Sequence, residues 1–119
     1  MSLRVVQTDE RYSHVALSGQ LTQFGVERMI GEVMTHTVKR ELPTIVEMTD
    51  VEFLASAGLG LLASLRKRLQ AVGAGIVLLS PSQRAGDAVR ASRMDTILPI
   101  AENLDEALTI LGLEPTEHA

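Results

Sequence analysis

The amino-acid sequence predicts an α/β fold in which a small, mixed, mainly parallel sheet packs against helices. Short apolar segments with the spacing of strands alternate with longer segments with the spacing of helices, in the order ββαβαβαβα. The segment GIVLLS, residues 75–80, is apolar at successive positions, as expected for a parallel strand buried on both faces. Alternating strands and helices favour parallel pairing with right-handed crossovers, so a mainly parallel sheet is expected.

The N-terminal third predicts a hairpin followed by a long helix. Leu3–Gln7 and His14–Ser18 have the short, alternating pattern of strands, and the polar link between them fits a hairpin. From Gln23 to about Arg40 apolar residues recur at helical spacing, and Pro43 closes the segment. The first two strands are therefore expected to be antiparallel.

The middle of the chain predicts a strand and two helices around the buried strand at 75–80. Thr44–Met48 is a short, mostly apolar strand. Leucines at helical spacing predict a second helix over Gly58–Val72, and Gly73 is typical of a C-terminal stop. Ser82 is expected to cap a third helix that runs to about Arg93.

The C-terminal part predicts a short strand and a last helix. Thr96–Ile100 reads as a strand that contains a proline and therefore lies at a sheet edge or near its end. Asn103 and Glu106 have the spacing of a capping box at the start of the last helix. One domain over residues 3–112 is expected, with a flexible tail over 113–119.

Composition excludes several classes of function. The chain of 119 residues has no cysteine, which excludes disulfides and thiolate metal sites, and its three histidines lack metal-ligand spacing. A net charge of -4 and an aromatic content of 3% argue against nucleic-acid binding. No apolar run approaches the length of a membrane span, and no signal peptide is recognisable. A cytoplasmic protein without metal, cofactor or membrane contact is expected.

The stretch EFLASAGLG, residues 52–60, raises the question of what Ser56 does. A hydrolase nucleophile would need the G-x-S-x-G turn, but Leu54 stands where the first glycine belongs. A phosphate-binding loop would need a richer glycine pattern than Gly58 and Gly60 provide. Ser56 is also a favoured residue for an N-cap of the second helix. Finally, the start of a helix attracts negative charge, so a phosphate there could regulate a docking surface.

Three segments of the chain form a recognisable set: IVEMTDVEFLASAGLGLLASLRKRL at 45–69, GIVLLSPS at 75–82 and ILPIAENLDEAL at 97–108. Together they resemble the STAS domain of bacterial anti-sigma factor antagonists. The most specific part, Val51–Gly60, is similar to the family motif V-x-F-[LI]-x-S-x-G-L-G. The resemblance covers about Val5 to Leu111 and implies the STAS fold, a small mixed sheet of four or five strands flanked by about four helices.

The resemblance also implies a function. Family members bind an anti-sigma factor, often a serine kinase with its own ATP, and thereby free a sigma factor. This partner switching makes the antagonist a ligand and a substrate but no enzyme, with no cofactor of its own. The implied partner-binding residues are Thr22, Phe53, Leu54, Ala55, Ser56, Ala57, Gly58, Leu59 and Gly60.

The chain departs from the family pattern at its centre. The usual Asp-Ser-Ser-Gly appears as Ala55-Ser56-Ala57-Gly58, so Ala57 occupies the phosphoacceptor position without a hydroxyl. The early Gly-Glu-Leu-Asp appears as Gly-Gln-Leu-Thr, which ends at Thr22. Glu47 stands where the family usually has aspartate.

These departures leave three hypotheses open. Ser56 is the phosphorylation candidate if the acceptor has moved by one residue. Alternatively, the antagonist is not switched off by phosphate. A third hypothesis is a STAS module that binds a small ligand or belongs to a sensory signalling assembly. The sequence also leaves open whether the chain forms a homodimer.

Overall fold

Five strands and four helices form the protein in the computed structural model, which describes residues 1–114. The strands are β1 (Ser2–Thr8), β2 (Ser13–Leu21), β3 (Thr44–Leu54), β4 (Ile76–Leu79) and β5 (Ile100–Ala101). The helices are α1 (Gln23–His36), α2 (Ser56–Ala71), α3 (Gln83–Ala91) and α4 (Leu104–Ile110). The predicted order of elements is confirmed.

The strands form one sheet in the order β1-β2-β3-β4-β5. β1 is antiparallel to β2, whereas β2, β3, β4 and β5 are parallel to their neighbours. This is the predicted mixed, mainly parallel sheet, because a short link joins the antiparallel pair and helices join the others. Within residues 1–114, no helix has the length and apolar character needed to cross a bilayer.

The core has two layers because successive residues of the central strands point to opposite faces. Val46 and Met48 of β3 belong to a large cluster with α1, α2 and α3, whereas Ile45 belongs to a smaller cluster with α4. Leu113 packs against the smaller cluster. Packing therefore reaches the first residue of the predicted tail, and residues 115–119 of that tail lie outside the described residues.

β3 is six residues longer than the expected strand, which ended at Met48. Its extension pairs with β2 from Ser18↔Asp50 to Leu21↔Leu54, with bulges in the register. On the other side, the Ser82 hydroxyl donates to the carbonyl of Val51 in the extension at 2.6 Å, and the Ser82 amide donates to the carbonyl of Met48 just before it at 3.0 Å. Partners on both sides satisfy the backbone of the extension, so a segment that lacks strict alternation remains a strand.

Other boundaries also differ from prediction: β2 continues to Leu21, and α3 ends at Ala91. α1 ends at His36, and a 3-10 turn over Val38–Arg40 follows. The buried Thr37 hydroxyl donates to the carbonyl of Val33 at 2.6 Å, a local bond that competes with the regular helix. In the segment predicted as a strand over 96–100, only Ile100 is a strand residue, because a 3-10 turn extends to Thr96.

A buried histidine lies beside a half-buried carboxylate on the face of the sheet that α4 partly covers. His14 Nε2 is 3.5 Å from Glu47 Oε1, and Arg4 Nη2 is 3.7 Å from Glu47 Oε2. Neither ring nitrogen has a hydrogen-bond partner among residues 1–114. Burial lowers the pKa of His14; the Glu47 carboxylate opposes this effect, and Arg4 adds to it.

The lowered pKa of His14 predicts that acid weakens its contribution to stability. Below about pH 6.5 the histidine of the unfolded chain becomes protonated more readily than folded His14. The contribution of His14 to the free energy of unfolding therefore decreases as the pH is lowered. The free energy of unfolding of wild type, minus that of His14→Gln, should therefore decrease from about pH 7 to about pH 5. Urea denaturation measures both. A difference that does not change with pH would contradict the prediction.

Candidate functional site

The starts of α1 and α2 lie side by side at the carboxyl edge of the sheet. The preceding strands end together, with Leu21 opposite Leu54 in the register. The Ala55 amide also donates to the carbonyl of Leu21 at 3.1 Å, which holds the two chain segments in contact. This edge is where parallel α/β sheets place their binding residues.

Ala55 occupies the N-cap position of α2. The expectation that Ser56 caps this helix is therefore wrong. Ala55 has extended backbone angles (φ -83°, ψ 174°), and its side chain accepts no hydrogen bond. Ser56 is the first helical residue, and its side chain is exposed. Within residues 1–114, no hydrogen bond to the amides of Ser56, Ala57 or Gly58 is present. The start of α2 therefore carries unsatisfied donors and partial positive charge.

Replacing Ala55 with aspartate should stabilise the protein. A carboxylate at this position can accept a hydrogen bond from the first turn and interacts favourably with the helix dipole. The expected gain in the free energy of unfolding is about 1 kcal/mol. Urea denaturation measures this gain, and Ala55→Leu serves as the control that cannot cap. Equal stability of the two variants would show that α2 lacks the uncapped start described above.

The start of α1 is capped, unlike that of α2. Thr22 Oγ1 accepts a hydrogen bond from the amide of Gly25 at 3.3 Å. Thr22 itself is half-buried. The Thr22 hydroxyl is therefore already used in the cap of α1.

Two of the predicted partner-binding residues are buried in the chain itself. Leu54 is a core residue, and Gly58 packs where a Cβ would lie 2.8 Å from the carbonyl oxygen of Leu21. The expectation that Gly58 exposes its backbone to another chain is therefore wrong: helix α2 uses it to approach β2 closely. At Gly60, in contrast, a Cβ would meet nothing within 4 Å.

The two phenylalanines of the chain lie in the segments that meet at this edge, one in β3 and one in α1. Phe53 near the end of β3 is 48% exposed, and Phe24 in the first turn of α1 is 69% exposed. Sequence reasoning missed Phe24. The signal was its position about 160° around the helix from Val26, on the side opposite the apolar stripe. The Arg28 guanidinium lies 5.6 Å from the centre of the Phe24 ring.

A solvent-accessible surface is thereby formed at the carboxyl edge, which we call the tip surface. It consists of the exposed residues Phe24, Phe53, Ser56 and Gly60 and the half-buried residues Thr22, Ala55, Ala57 and Leu59. Asp50 and Glu52 of β3 are exposed beside it and form no ion pair within residues 1–114. The combination of aromatic side chains, free amides and flanking carboxylates is suited to contact with another protein.

The family model of the STAS domain matches residues 4–107. The chain belongs to the STAS domain family. This match and the mixed sheet confirm the predicted family and fold. No curated protein matches the chain in sequence.

Solved structures of anti-sigma factor antagonists have the same fold. An anti-sigma factor antagonist from Mycobacterium paratuberculosis is 25% identical, with 93% of this chain and 95% of that chain covered and a TM-score of 0.73. The unphosphorylated anti-sigma factor antagonist SpoIIAA is 19% identical, with 96% and 100% covered and a TM-score of 0.75. Phosphorylated SpoIIAA, a Bacillus cell fate determinant, is 21% identical, with 92% and 98% covered and a TM-score of 0.66.

Proposed function

We propose that this STAS domain is an anti-sigma factor antagonist. It binds an anti-sigma factor through the tip surface and thereby frees a sigma factor, which regulates transcription. The observation that supports this most is the uncapped start of α2 at an edge where Phe53 of the preceding strand and Phe24 of α1 are both exposed. The protein acts as a ligand in this process and catalyses no reaction.

The chemistry of the tip surface indicates the chemistry of the partner. Phe53 and Phe24 offer large apolar contact area, which is typical of residues that dominate binding energy. Asp50 and Glu52 favour approach by a positively charged surface. The complementary anti-sigma factor therefore presents an apolar pocket bordered by arginine or lysine.

We further propose that phosphorylation does not release this antagonist. Ala57 has no hydroxyl at the position where the family carries its acceptor, and it is half-buried. Ser56 is one residue earlier on the helix, so its side chain points about 100° away from that of Ala57. A kinase that positions its ATP over residue 57 therefore finds the methyl group of Ala57, which cannot accept a phosphate.

The test measures binding to the anti-sigma factors of the source organism with and without ATP. Wild type should bind one of them with unchanged affinity when ATP is added, and should restore sigma-dependent transcription in vitro. If that anti-sigma factor is a kinase, Ala55→Asp/Ala57→Ser, which restores Asp-Ser-Ser-Gly, should gain phosphate and lose at least about tenfold in affinity.

Two outcomes would contradict different parts of the proposal. Absence of binding to every anti-sigma factor tested would contradict the antagonist function. Phosphate on wild type that disappears in Ser56→Ala, together with loss of binding, would contradict control without phosphate and would identify Ser56 as the acceptor.

A further inference from the structure

A cleft of about 260 Å³ opens at the end of the sheet opposite the tip surface. It lies between the C-terminal half of α2, the start of β4, the segment before β5 and the end of α4. The residues that carry the argument are Arg66, Gln70, Gly75, Ile97, Ile110 and Leu111. None of them belongs to the tip surface.

The walls of the cleft are mainly apolar. Ile97 and Ile110 line it and remain 38% and 41% exposed, although most large aliphatic side chains of the chain are buried. Gly75 lets Leu111 pack closely against the backbone of the cleft, since a Cβ there would lie 3.1 Å from Cδ2 of Leu111. A cleft of this kind can bury the hydrocarbon part of a ligand.

Arg66 adds a positive charge to this apolar cleft. It is half-buried, and no ion pair or hydrogen bond of its guanidinium is present within the described part of the chain. Arg68, on the same helix, instead bonds Ser64 Oγ at 3.4 Å. Gln70, one turn after Arg66, adds amide donors to the same wall. The Arg66 cation and the Gln70 amide donors together favour the binding of an anionic ligand group at this side of the cleft.

We propose that the cleft binds a small aliphatic monocarboxylate. A single guanidinium fork matches one carboxylate in a bidentate arrangement, and the isoleucines contact the tail. The volume is slightly below that of a site for a drug-sized ligand, so a ligand of roughly ten non-hydrogen atoms fits. Because the cleft and the tip surface are at opposite ends of the sheet, ligand and protein partner can bind at the same time.

Octanoate, with ten non-hydrogen atoms, is the probe. Titrated into the ¹⁵N-labelled protein, it should give saturable NMR shifts at the amides of Gly75, Ile97 and Leu111, with a Kd of about 1 mM. Octanol, which has the same chain without the charge, should bind about tenfold more weakly. Shifts that do not saturate, or that lie mainly outside the cleft, would overturn the proposal.

Two variants on one turn of α2 test the role of the charge. Arg66→Gln should weaken octanoate binding about tenfold, because it removes the cation and keeps an amide donor. Lys67→Gln is the matched control: it removes the same charge from an exposed position outside the cleft, so binding should stay within about twofold of wild type. Equal losses in the two variants would show general charge attraction and overturn the proposed site. The assay needs no anti-sigma factor, so its outcome is independent of the function proposed above.

Discussion

Gly58→Ala is expected to destabilise the protein by about 2 kcal/mol, whereas Gly60→Ala should stabilise it by about 1 kcal/mol. A Cβ at Gly58 would lie 2.6 Å from Leu54 Cδ1, 2.8 Å from the Leu21 carbonyl oxygen and 2.9 Å from Leu21 Cβ. That carbonyl also accepts the Ala55 amide, so it cannot move aside without loss of the bond between β2 and the start of α2. A Cβ at Gly60 would meet nothing within 4 Å, so alanine there causes no steric clash and adds only its higher helix propensity.

Urea denaturation of both variants measures this contrast. Both positions are in the same helix, two residues apart, so a general effect of alanine on α2 would change both in the same direction. Opposite signs are expected because one glycine touches a backbone carbonyl and the other faces solvent. If Gly58→Ala were as stable as Gly60→Ala, the close packing of α2 against β2 would be wrong.

Phe53→Ala is expected to weaken binding to the anti-sigma factor about thirtyfold, which corresponds to about 2 kcal/mol. Phe53 is 48% exposed, so about half of its surface is available to a partner in the free protein. In the proposed complex the same ring becomes buried in the partner, which is the situation of a binding hot spot. Isothermal titration calorimetry with the purified anti-sigma factor gives the affinity.

Val72→Ala is the control for Phe53→Ala. Val72 is also an exposed apolar residue, but it follows the far end of α2. Its removal should change the affinity by less than about twofold, since exposed residues outside an interface contribute little. Unchanged affinity in Phe53→Ala, or an equal loss in both variants, would place the interface away from the tip surface.

Much of the fold follows from local patterns that the sequence displays directly. Ser82 and Asn103 cap α3 and α4 as predicted, with their side-chain oxygens accepting the amides of Ala85 at 3.2 Å and Glu106 at 2.8 Å. In both places the favoured residue type stands just before a helix, and although the Ser82 hydroxyl also donates to the carbonyl of Val51 at 2.6 Å, its oxygen still accepts the capping bond. Local capping preference is then sufficient.

The start of α2 was predicted incorrectly because pairing between strands overrides the local preference. Ser56 has the right side chain for a cap, but β3 continues as far as Leu54 opposite β2. Extended backbone therefore ends at Ala55, and Ser56 becomes the first residue of the helix. The N-cap position of α2 is thus held by Ala55, which stabilises the helix less than a serine at the same position would.

Exposure of the site could be predicted only in part. The motif around Phe53 directs attention to the correct edge of the sheet, but it does not reveal that Gly58 faces inward. That depends on how closely α2 approaches β2, a distance that no periodicity in the sequence encodes. Phe24 was missed because the motif does not include α1, which reaches the tip surface through the pairing of Leu21 with Leu54.

The most direct measurement is an NMR titration of the ¹⁵N-labelled domain with its unlabelled anti-sigma factor. The account predicts that the amides from Thr22 to Phe24 and from Phe53 to Gly60 shift or broaden first, while those around the cleft at Ile97 and Leu111 keep their positions. Changes concentrated on β1, β5 or α4, with the start of α2 unaffected, would contradict it.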